Sequence, residues 1–274
     1  MLSVNTNVGA LIALENLNNT SSQLQQAQNV VSTGLAVASA KDDGAIWAIA
    51  QNERATDSSL DAVKQSLQRG QSIIDVANSA GTTISDLLTQ MKEKALAASD
   101  TSLDAASKAA LNTDFKALRD QITKVVTNAD FNGTNILNGS VAQITSLANA
   151  AGTSVLTTSG QNLSLGGAIV TVAATSTIGT TTAASAMITT VTTSLTNVDN
   201  ALATLGTASK ALQTHLSFVS NLQDTLTAGI GNLVNADLAK ESATLQALQT
   251  KQQLGIQALS IANSSSSALL GLFR

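Results

Sequence analysis

Apolar residues recur at alternating three- and four-residue steps in five stretches of the chain, the spacing that lines one face of an α-helix. From Asn235 onward the steps fall on Leu238, Glu241, Leu245, Leu248, Gln252, Gly255, Leu259, Ala262, Ser266, Leu269 and Phe273. Seven of these eleven are apolar, a coiled-coil-like stripe. Residues 4–38 repeat the pattern: Ala10, Leu17, Leu24, Val31 and Ala38 come every seven residues, with Leu11, Leu14 and Leu35 beside them. Both stretches are backed by Asn, Gln, Ser and Thr. Residues 1–40 contain one charged side chain, Glu15, and residues 252–273 contain none. A helix facing water ordinarily carries charge opposite its apolar stripe. The two ends are therefore expected to pair, parallel or antiparallel, and to be surrounded by further helices.

Between them lie three inner helices. The first is expected over 44–99, with Ile46, Ile49, Leu60, Val63, Leu67, Ile74, Ala77, Ile84, Leu88, Met91, Ala95 and Ala98 on one face and Gly70 and Gly81 on the same face, where they permit close helix contact. It spans on the order of 80 Å. The second, over 104–129, carries Leu111, Phe115, Leu118, Ile122, Val125 and Ala129. The third, over 183–228, runs from Ile188 to Ile230 with polar breaks at Ser209 and Gln223, and Gly229 and Gly231 are expected to end it. Asn235 is expected to cap the last helix. Gly34 and the small residues after it predict a loose connector, closed by Asp42 and Asp43 at the start of the next helix. The period breaks at Asn132–Gly133 and Asn138–Gly139, both turn signals. From there to residue 182 the chain is rich in Thr, Ser, Ala and Gly, with β-type runs at 154–157 and 169–172.

The expected fold is mainly α: a long rod-like helical bundle with small β-hairpins at its tip and paired terminal coiled-coil-like helices. Residues 1–38 with 235–274 form the terminal pair, 39–44 and 229–234 the connectors, 45–130 with 183–228 the bundle, and 131–182 the tip. Composition agrees. There is no proline, against roughly 14 at ordinary usage, and proline breaks helix interiors. Aromatics make up 2% of a chain that is 43% apolar, so Leu, Ile, Val and Ala must fill the core.

Little of the sequence carries reaction chemistry. The absence of cysteine excludes disulfides and thiolate sites. Net charge is −4 with no basic cluster, which argues against nucleic-acid binding. No apolar run approaches the ~18 residues of a membrane span. The amino-terminal stretch lacks the basic start and apolar core of a secretory signal, so an extracellular protein of this sequence is expected to leave without a cleaved one. The single histidine, His215, lies beside Leu216 and is better explained as a helix-boundary residue than as a base. Asp42 and Asp43 form an adjacent carboxylate pair, but capping explains them more simply than acid–base work. Asp237 and Glu241 are one turn apart without a nearby histidine, again a capping arrangement, with Lys240. Trp47, the sole tryptophan, is assigned to packing at a domain or subunit contact. No metal or cofactor is expected. The Ser/Thr run 175–194 is either a solvated lead into a helix or a set of acceptors for O-linked sugars.

Four segments together resemble bacterial flagellin over nearly the whole chain. Leu2–Leu17, LSVNTNVGALIALENL, is similar to the family's amino terminus. Ser39–Ala45, SAKDDGA, with Ala48-Ile49-Ala50, is similar to the opening of its outer-tube helix, and Phe131–Leu137, FNGTNIL, to the turn after its third helix. Asp237–Phe273 is similar to its carboxyl terminus, with ADLAKESATLQALQTKQQLGIQALSIAN the most specific stretch. The resemblance implies a filament subunit, exported unfolded by a type III route, whose terminal helices order on assembly into the inner core. A filament cap, hook-junction proteins and an export chaperone are the implied partners. Leu11, Leu14, Leu17, Leu24, Val31, Leu238, Leu245, Leu248, Leu259, Leu269 and Phe273 are the expected assembly residues. Asp42, Asp43, Phe131, Asn132 and Gly133 are motif residues.

The sequence also departs from the family pattern. Ile46 and Trp47 replace a small residue and a leucine, and the middle is short. Gln90, Met91, Lys92, Glu93 and Lys94 stand where many flagellins carry an arginine-rich motif recognised by a vertebrate innate receptor, so weak stimulation is expected, a pattern that resembles alphaproteobacterial flagellins. A hook–filament junction protein is the alternative, though the carboxyl-terminal match favours flagellin. A secreted enzyme is weaker still, because no carboxylate, His or Cys occurs from 131 to 198.

Overall fold

The computed structural model describes residues 6–271, with side chains through Ser264. In chain order the elements are α1 (Val8–Thr33), α2 (Gly44–Ala98), α3 (Ala105–Asn128), β1 (Gln143–Leu147), β2 (Val155–Ser159), α4 (Thr181–Val234) and α5 (Leu238–Gly271). The chain is mostly helical, with one small antiparallel sheet among the described residues. It divides into two compact units. Thr56–Asp224 is one, and the chain through Ala55 together with the chain from Thr225 is the other.

The 56–224 unit has its own core. α2 turns Leu60, Val63, Leu67, Ile74, Ile84, Leu88 and Met91 inward, α3 adds Phe115, Ile122 and Val126, and α4 adds Val191, Val198, Leu205, Leu212 and Val219. The last five recur every seven residues, so one face of α4 stays against its neighbours. The two polar breaks in the α4 stripe meet polar partners on α2. Ser209 accepts a hydrogen bond from Gln71 Nε2 at 2.7 Å. Gln223 Nε2 donates to Asp61 Oδ1 at 2.9 Å and to the Asp57 carbonyl at 3.1 Å. Paired polar groups in a helix contact cost little and favour one register. At Gly81 a Cβ would lie 2.6 Å from Leu202 Cδ2, so a missing side chain lets α2 and α4 approach. α3 begins at Asp104, whose carboxylate accepts from the Ser107 amide at 2.9 Å, and is tied to α2 by Lys94–Asp114 at 2.8 Å.

Residues 129–180 hold β1, β2 and the irregular chain around them. Asn135 is buried under the end of α3: its Nδ2 donates to the Val126 carbonyl at 2.7 Å and its Oδ1 accepts from Leu137 N at 2.8 Å. Just before it, Phe131 and Thr134 bridge across Asn132 (φ 51°) and Gly133 (φ 76°), the left-handed pair that a tight hairpin turn requires. The expected run at 154–157 overlaps β2. β1 falls where no strand is expected, and its Leu147 amide donates to Ser66 Oγ on α2 at 3.0 Å. The expected strand at 169–172 does not form. Val170 and Val172 are buried as a strand face would be. The Thr171 amide, however, donates to Ser194 Oγ on α4 at 3.0 Å, and Asn197 Nδ2 holds the Ile169 carbonyl at 3.2 Å. Side chains of a helix take the bonds that a partner strand would have taken.

Other boundaries also move. α4 runs through Gly229 and Gly231 to Val234, so 229–234 is helix and not connector. A helix tolerates glycine at a cost of about 1 kcal/mol, and neither residue has a left-handed φ. α1 ends at Thr33, where Gly34 (φ 72°) caps it and donates to the Val30 carbonyl at 2.8 Å. The segment after it is held and not loose. Asp42 Oδ2 accepts from the amides of Ala38 and Ser39 and from Ser39 Oγ, all within 3.1 Å, while Asp43 Oδ1 caps α2 through the amides of Ala45 and Ile46 at 3.0 Å each. Asn235 does not cap α5. Asp237 does, accepting from Ala239 N at 3.0 Å and Lys240 N at 3.2 Å.

Phe115 is fully buried and is the largest such side chain in the core. Phe115→Ala is expected to lower unfolding free energy by about 3–5 kcal/mol, whereas Phe131→Ala, at an exposed ring, should cost under about 1 kcal/mol. Denaturant melts of the two variants check the difference.

Candidate functional site

The feature that stands apart chemically is the pair α1–α5. The helices run antiparallel. Leu35 and Asn235 bridge beyond one end, and near the other Asn7 Nδ2 donates to the Ala262 carbonyl at 2.8 Å. Between these, Leu17 packs on Gly255, where a Cβ would sit 3.2 Å from Leu17 Cδ1. Asn7 also caps α1 by accepting from Ala10 N at 3.1 Å.

Two helices shield only the faces they turn toward each other. On α1 that face buries Thr20, Leu24 and Ala27. Leu17, Val31, Leu245, Leu248 and Leu259 are half-buried. Leu11, Leu14 and Leu238 are exposed. The Leu269 side chain and Phe273 lie outside the described residues. Five further apolar side chains that the stripe did not mark are also exposed: Val8, Ile12, Leu254, Ile256 and Ile261, the last at 69%. Their signal was present in the sequence as apolar residues off the three-four step, within stretches that carry almost no charge. The surface of the pair is therefore apolar and amide-rich on several sides, the chemistry of a helix that packs all round.

Beside the pair, the chain between α1 and α2 meets the chain between α4 and α5. Ala36 N and Val37 N donate to the Val234 carbonyl at 2.7 and 3.3 Å, and Ala236 N donates to the Gly34 carbonyl at 3.0 Å. Val37, Ala50 and Val234 form a small buried cluster, with Leu35, Ile46, Trp47 and Ile230 packed against it. Trp47 is thus a packing residue here.

The remaining sequence candidates are structural. His215 Nε2 lies 2.7 Å from the Ala148 carbonyl, and its ring is 5.6 Å from that of Phe218, so it holds the β1–β2 turn to α4. Among the described residues no three His, Cys, Asp or Glu side chains group as metal ligands would, and no helix is long and apolar enough to cross a membrane. In the 90–94 stretch Met91 is fully buried, Lys92 is half-buried, Lys94 pairs with Asp114, and Gln90 and Glu93 face out. The Ser/Thr run is mixed. Thr175, Thr177, Thr182, Ser185, Thr189, Thr192 and Thr193 are exposed, whereas Ser194 is buried against Thr171 at 2.9 Å.

Three carboxylates are held below their ordinary value by short-range hydrogen bonds, Asp104 as the cap of α3 and Asp42 and Asp100 in the connecting turns. Hydrogen bonds from the Ser39 backbone and hydroxyl lower Asp42, those from Ser102 lower Asp100, and those from the Ser107 hydroxyl and backbone lower Asp104. For Asp42 the sign follows. Its bonds to Ser39 and Ala38 contribute fully above the ordinary carboxylate value of 3.8 and are lost as pH falls through its lower folded value. Acid titration followed by Trp47 fluorescence is expected to show this loss below pH 3.8 in the parent chain and a flatter acid limb in Asp42→Ala.

Comparison with known proteins matches both the first and the last part of the chain. The family profile of the bacterial flagellin N-terminal helical region matches residues 4–142, and that of the bacterial flagellin C-terminal helical region matches residues 188–273. The chain is 61% identical to flagellin FljO of Caulobacter vibrioides, over 99% of this chain and 98% of that protein. It is 36% identical to a flagellin of Brucella melitensis over the full length of both. A crystal structure of Bacillus cereus flagellin superimposes on 56% of this chain and 88% of its own, with a TM-score of 0.50 and 20% identity, a likeness of fold.

Proposed function

The chain belongs to the bacterial flagellin family and is a structural subunit of the flagellar filament, and from this premise we propose that the α1–α5 pair is its polymerisation surface. The observation that carries this is the set of exposed apolar side chains on the pair, Leu11, Leu14, Leu238, Leu254, Ile256 and Ile261. They sit in segments whose charges are confined to Glu15 on α1 and, on the described α5, to Lys240, Glu241 and Lys251. Leaving that surface in water is unfavourable, and ordering the helices costs conformational entropy. Burial against several neighbouring copies offsets both, so the pair orders as the lattice forms.

In this reading residues 1–38 and 235–274 build the inner core of the filament. Residues 45–130 and 183–228 build the surrounding tube, and 131–182 face outward. Leu17, Leu24 and Val31 with Leu245, Leu248 and Leu259 pack within the pair. Leu11, Leu14 and Leu238 reach neighbouring subunits, and Leu269 and Phe273 continue the same stripe. The filament is extracellular and its role mechanical, with no catalytic step assigned to any residue. A filament cap, hook-junction proteins and an export chaperone are the further partners, as the family resemblance implies. The exposed hydroxyls of the 175–194 run, Thr189 and Thr193 among them, are the candidate sugar acceptors.

Leu259→Asp is expected to yield a secreted chain whose 56–224 unit folds normally but which does not enter filaments. Electron microscopy of sheared appendages with circular dichroism of the secreted protein checks it, and normal filaments from this variant overturn the proposal. A second expectation concerns residues 90–94. With Met91 buried and Lys94 paired, Gln90 and Glu93 are the side chains most open to a receptor that favours arginine. Reporter cells bearing the vertebrate flagellin-sensing receptor should respond weakly to purified protein, and full potency refutes this.

A further inference from the structure

We propose that Asn132 is a self-modifying site: its side-chain amide is lost to ring closure by the Gly133 nitrogen, and Asp130 is the brake on that reaction. The inference goes beyond the role of the chain in a filament and rests on the turn after α3 alone.

The chemistry has three requirements. The Asn side chain must be free to swing toward the next backbone nitrogen. The next residue must leave that approach open, and its nitrogen must lose a proton. Asparagine is among the thermolabile residues, and a following glycine has no Cβ to block the approach. The sequence holds two Asn-Gly pairs, at 132–133 and 138–139. The fold treats them differently. Asn132 is exposed, and its side chain has no hydrogen-bond partner among the described residues. A Cβ at Gly133 would meet nothing within 4 Å, so the space around it is open. Asn138 is held, because its Oδ1 accepts from Ser140 N at 2.9 Å and from Ser140 Oγ at 2.5 Å. Its glycine is covered as well: a Cβ at Gly139 would lie 2.7 Å from Asn162 Nδ2.

The backbone sharpens the contrast. Among the described residues Asn132 is the only one besides glycine with a positive φ. With Gly133 it makes a type I′ turn, closed by the mutual backbone bonds of Phe131 and Thr134 at 3.0 Å each. A five-membered ring joining Asn132 Cγ to Gly133 N holds that nitrogen eclipsed with Cβ, a ψ of about −120° for an L-residue and the value at the first central position of a type II′ turn. That position has a φ of about +60°, and Asn132 already stands at 51°. Ring closure therefore needs only a flip of the 132–133 peptide. Glycine accepts either sign of φ, and the bond from Thr134 N to the Phe131 carbonyl suits both turn types. The contact that opposes the flip is Gly133 N to Asp130 Oδ2, at 3.2 Å. A carboxylate bound to the N–H also disfavours loss of its proton, because it stabilises the protonated form. Asp130 is thus a positioning residue that restrains the reaction.

The step balances without oxidant or reductant. Hydroxide removes the Gly133 proton, the nitrogen attacks Asn132 Cγ, and Nδ2 leaves with a proton as ammonia. Water then adds to either ring carbonyl and opens the ring to aspartate or isoaspartate, each with one more negative charge. In isoaspartate the main chain runs through Cβ and Cγ and is one atom longer. A two-residue turn loses the Phe131–Thr134 pairing when it takes in that atom. Asn135, which ties the chain to the end of α3, is the next residue.

The test holds the purified full chain at mildly alkaline pH, samples it over time and maps its peptides by mass spectrometry with separation of isoaspartyl forms. Asn132 should convert several-fold faster than Asn138. In the same chain unfolded in guanidinium the two sites should convert at similar rates, because glycine follows each. Asp130→Ala should raise the rate at Asn132 several-fold and leave Asn138 unchanged, and Asp130→Asn, which keeps the shape without the charge, should act in the same direction. Asn132→Gly, which suits a positive φ, should abolish modification at 132 and leave Asn138 as in the parent. Equal conversion of the two sites in the folded chain overturns the proposal, as does conversion of Asn132 only after unfolding. An unchanged or slower rate at Asn132 in both Asp130 variants overturns the brake.

Discussion

A helix that is apolar on more than one side cannot be satisfied by one partner. The α1–α5 pair is built under that constraint, and much of the chain follows from it. Leu24 and Ala27 are covered inside the pair, while Ile256 and Ile261 are not. Charge on the outer faces would have made the pair soluble and would have opposed burial among copies, because an unpaired ion loses its hydration there. Asn, Gln and Ser are the compromise. They hydrogen-bond to water in a free chain and to neighbouring amides or backbone in a packed one. Membership of the flagellin family places this chemistry in a filament, where each subunit has many neighbours.

The 56–224 unit obeys the opposite rule. Phe115, Ile122, Leu88 and Met91 are fully buried without help from another copy. At its helix contacts Ser209 is paired with Gln71 and Gln223 with Asp61. Its surface carries most of the charge of the chain, including the Lys94–Asp114 and Arg119–Asp120 pairs. One sequence thus holds a part that completes its own core and a part that does not, and α2 and α4 contribute residues to both. The glycine at 34, through its left-handed φ, and the carboxylates at 42, 43 and 237, through hydrogen bonds from backbone amides, mark where one element ends and the next begins.

The periodicity alone identified the helices, because burial of a stripe is a local requirement that each helix shows in its own residues. It placed α2 and α3 to within a residue of their ends, and it marked Leu24, Leu67, Ile84 and Phe115 as facing inward. The absence of charge and proline pointed to helices meant for company. What the chain could not show locally were the features made by two distant segments. Whether α1 and α5 run parallel or antiparallel depends on the bridge between Leu35 and Asn235, two hundred positions apart in sequence. α4 passes through Gly229 and Gly231 and ends at Val234, beside the bridge at Asn235. Residues 169–172 look like a strand and are not one, because Ser194 and Asn197 on α4 reach their backbone first. Local pattern determines which face an element buries. Only the tertiary structure decides which partner satisfies its ends and its backbone, since hydrogen bonds depend on which groups arrive within reach.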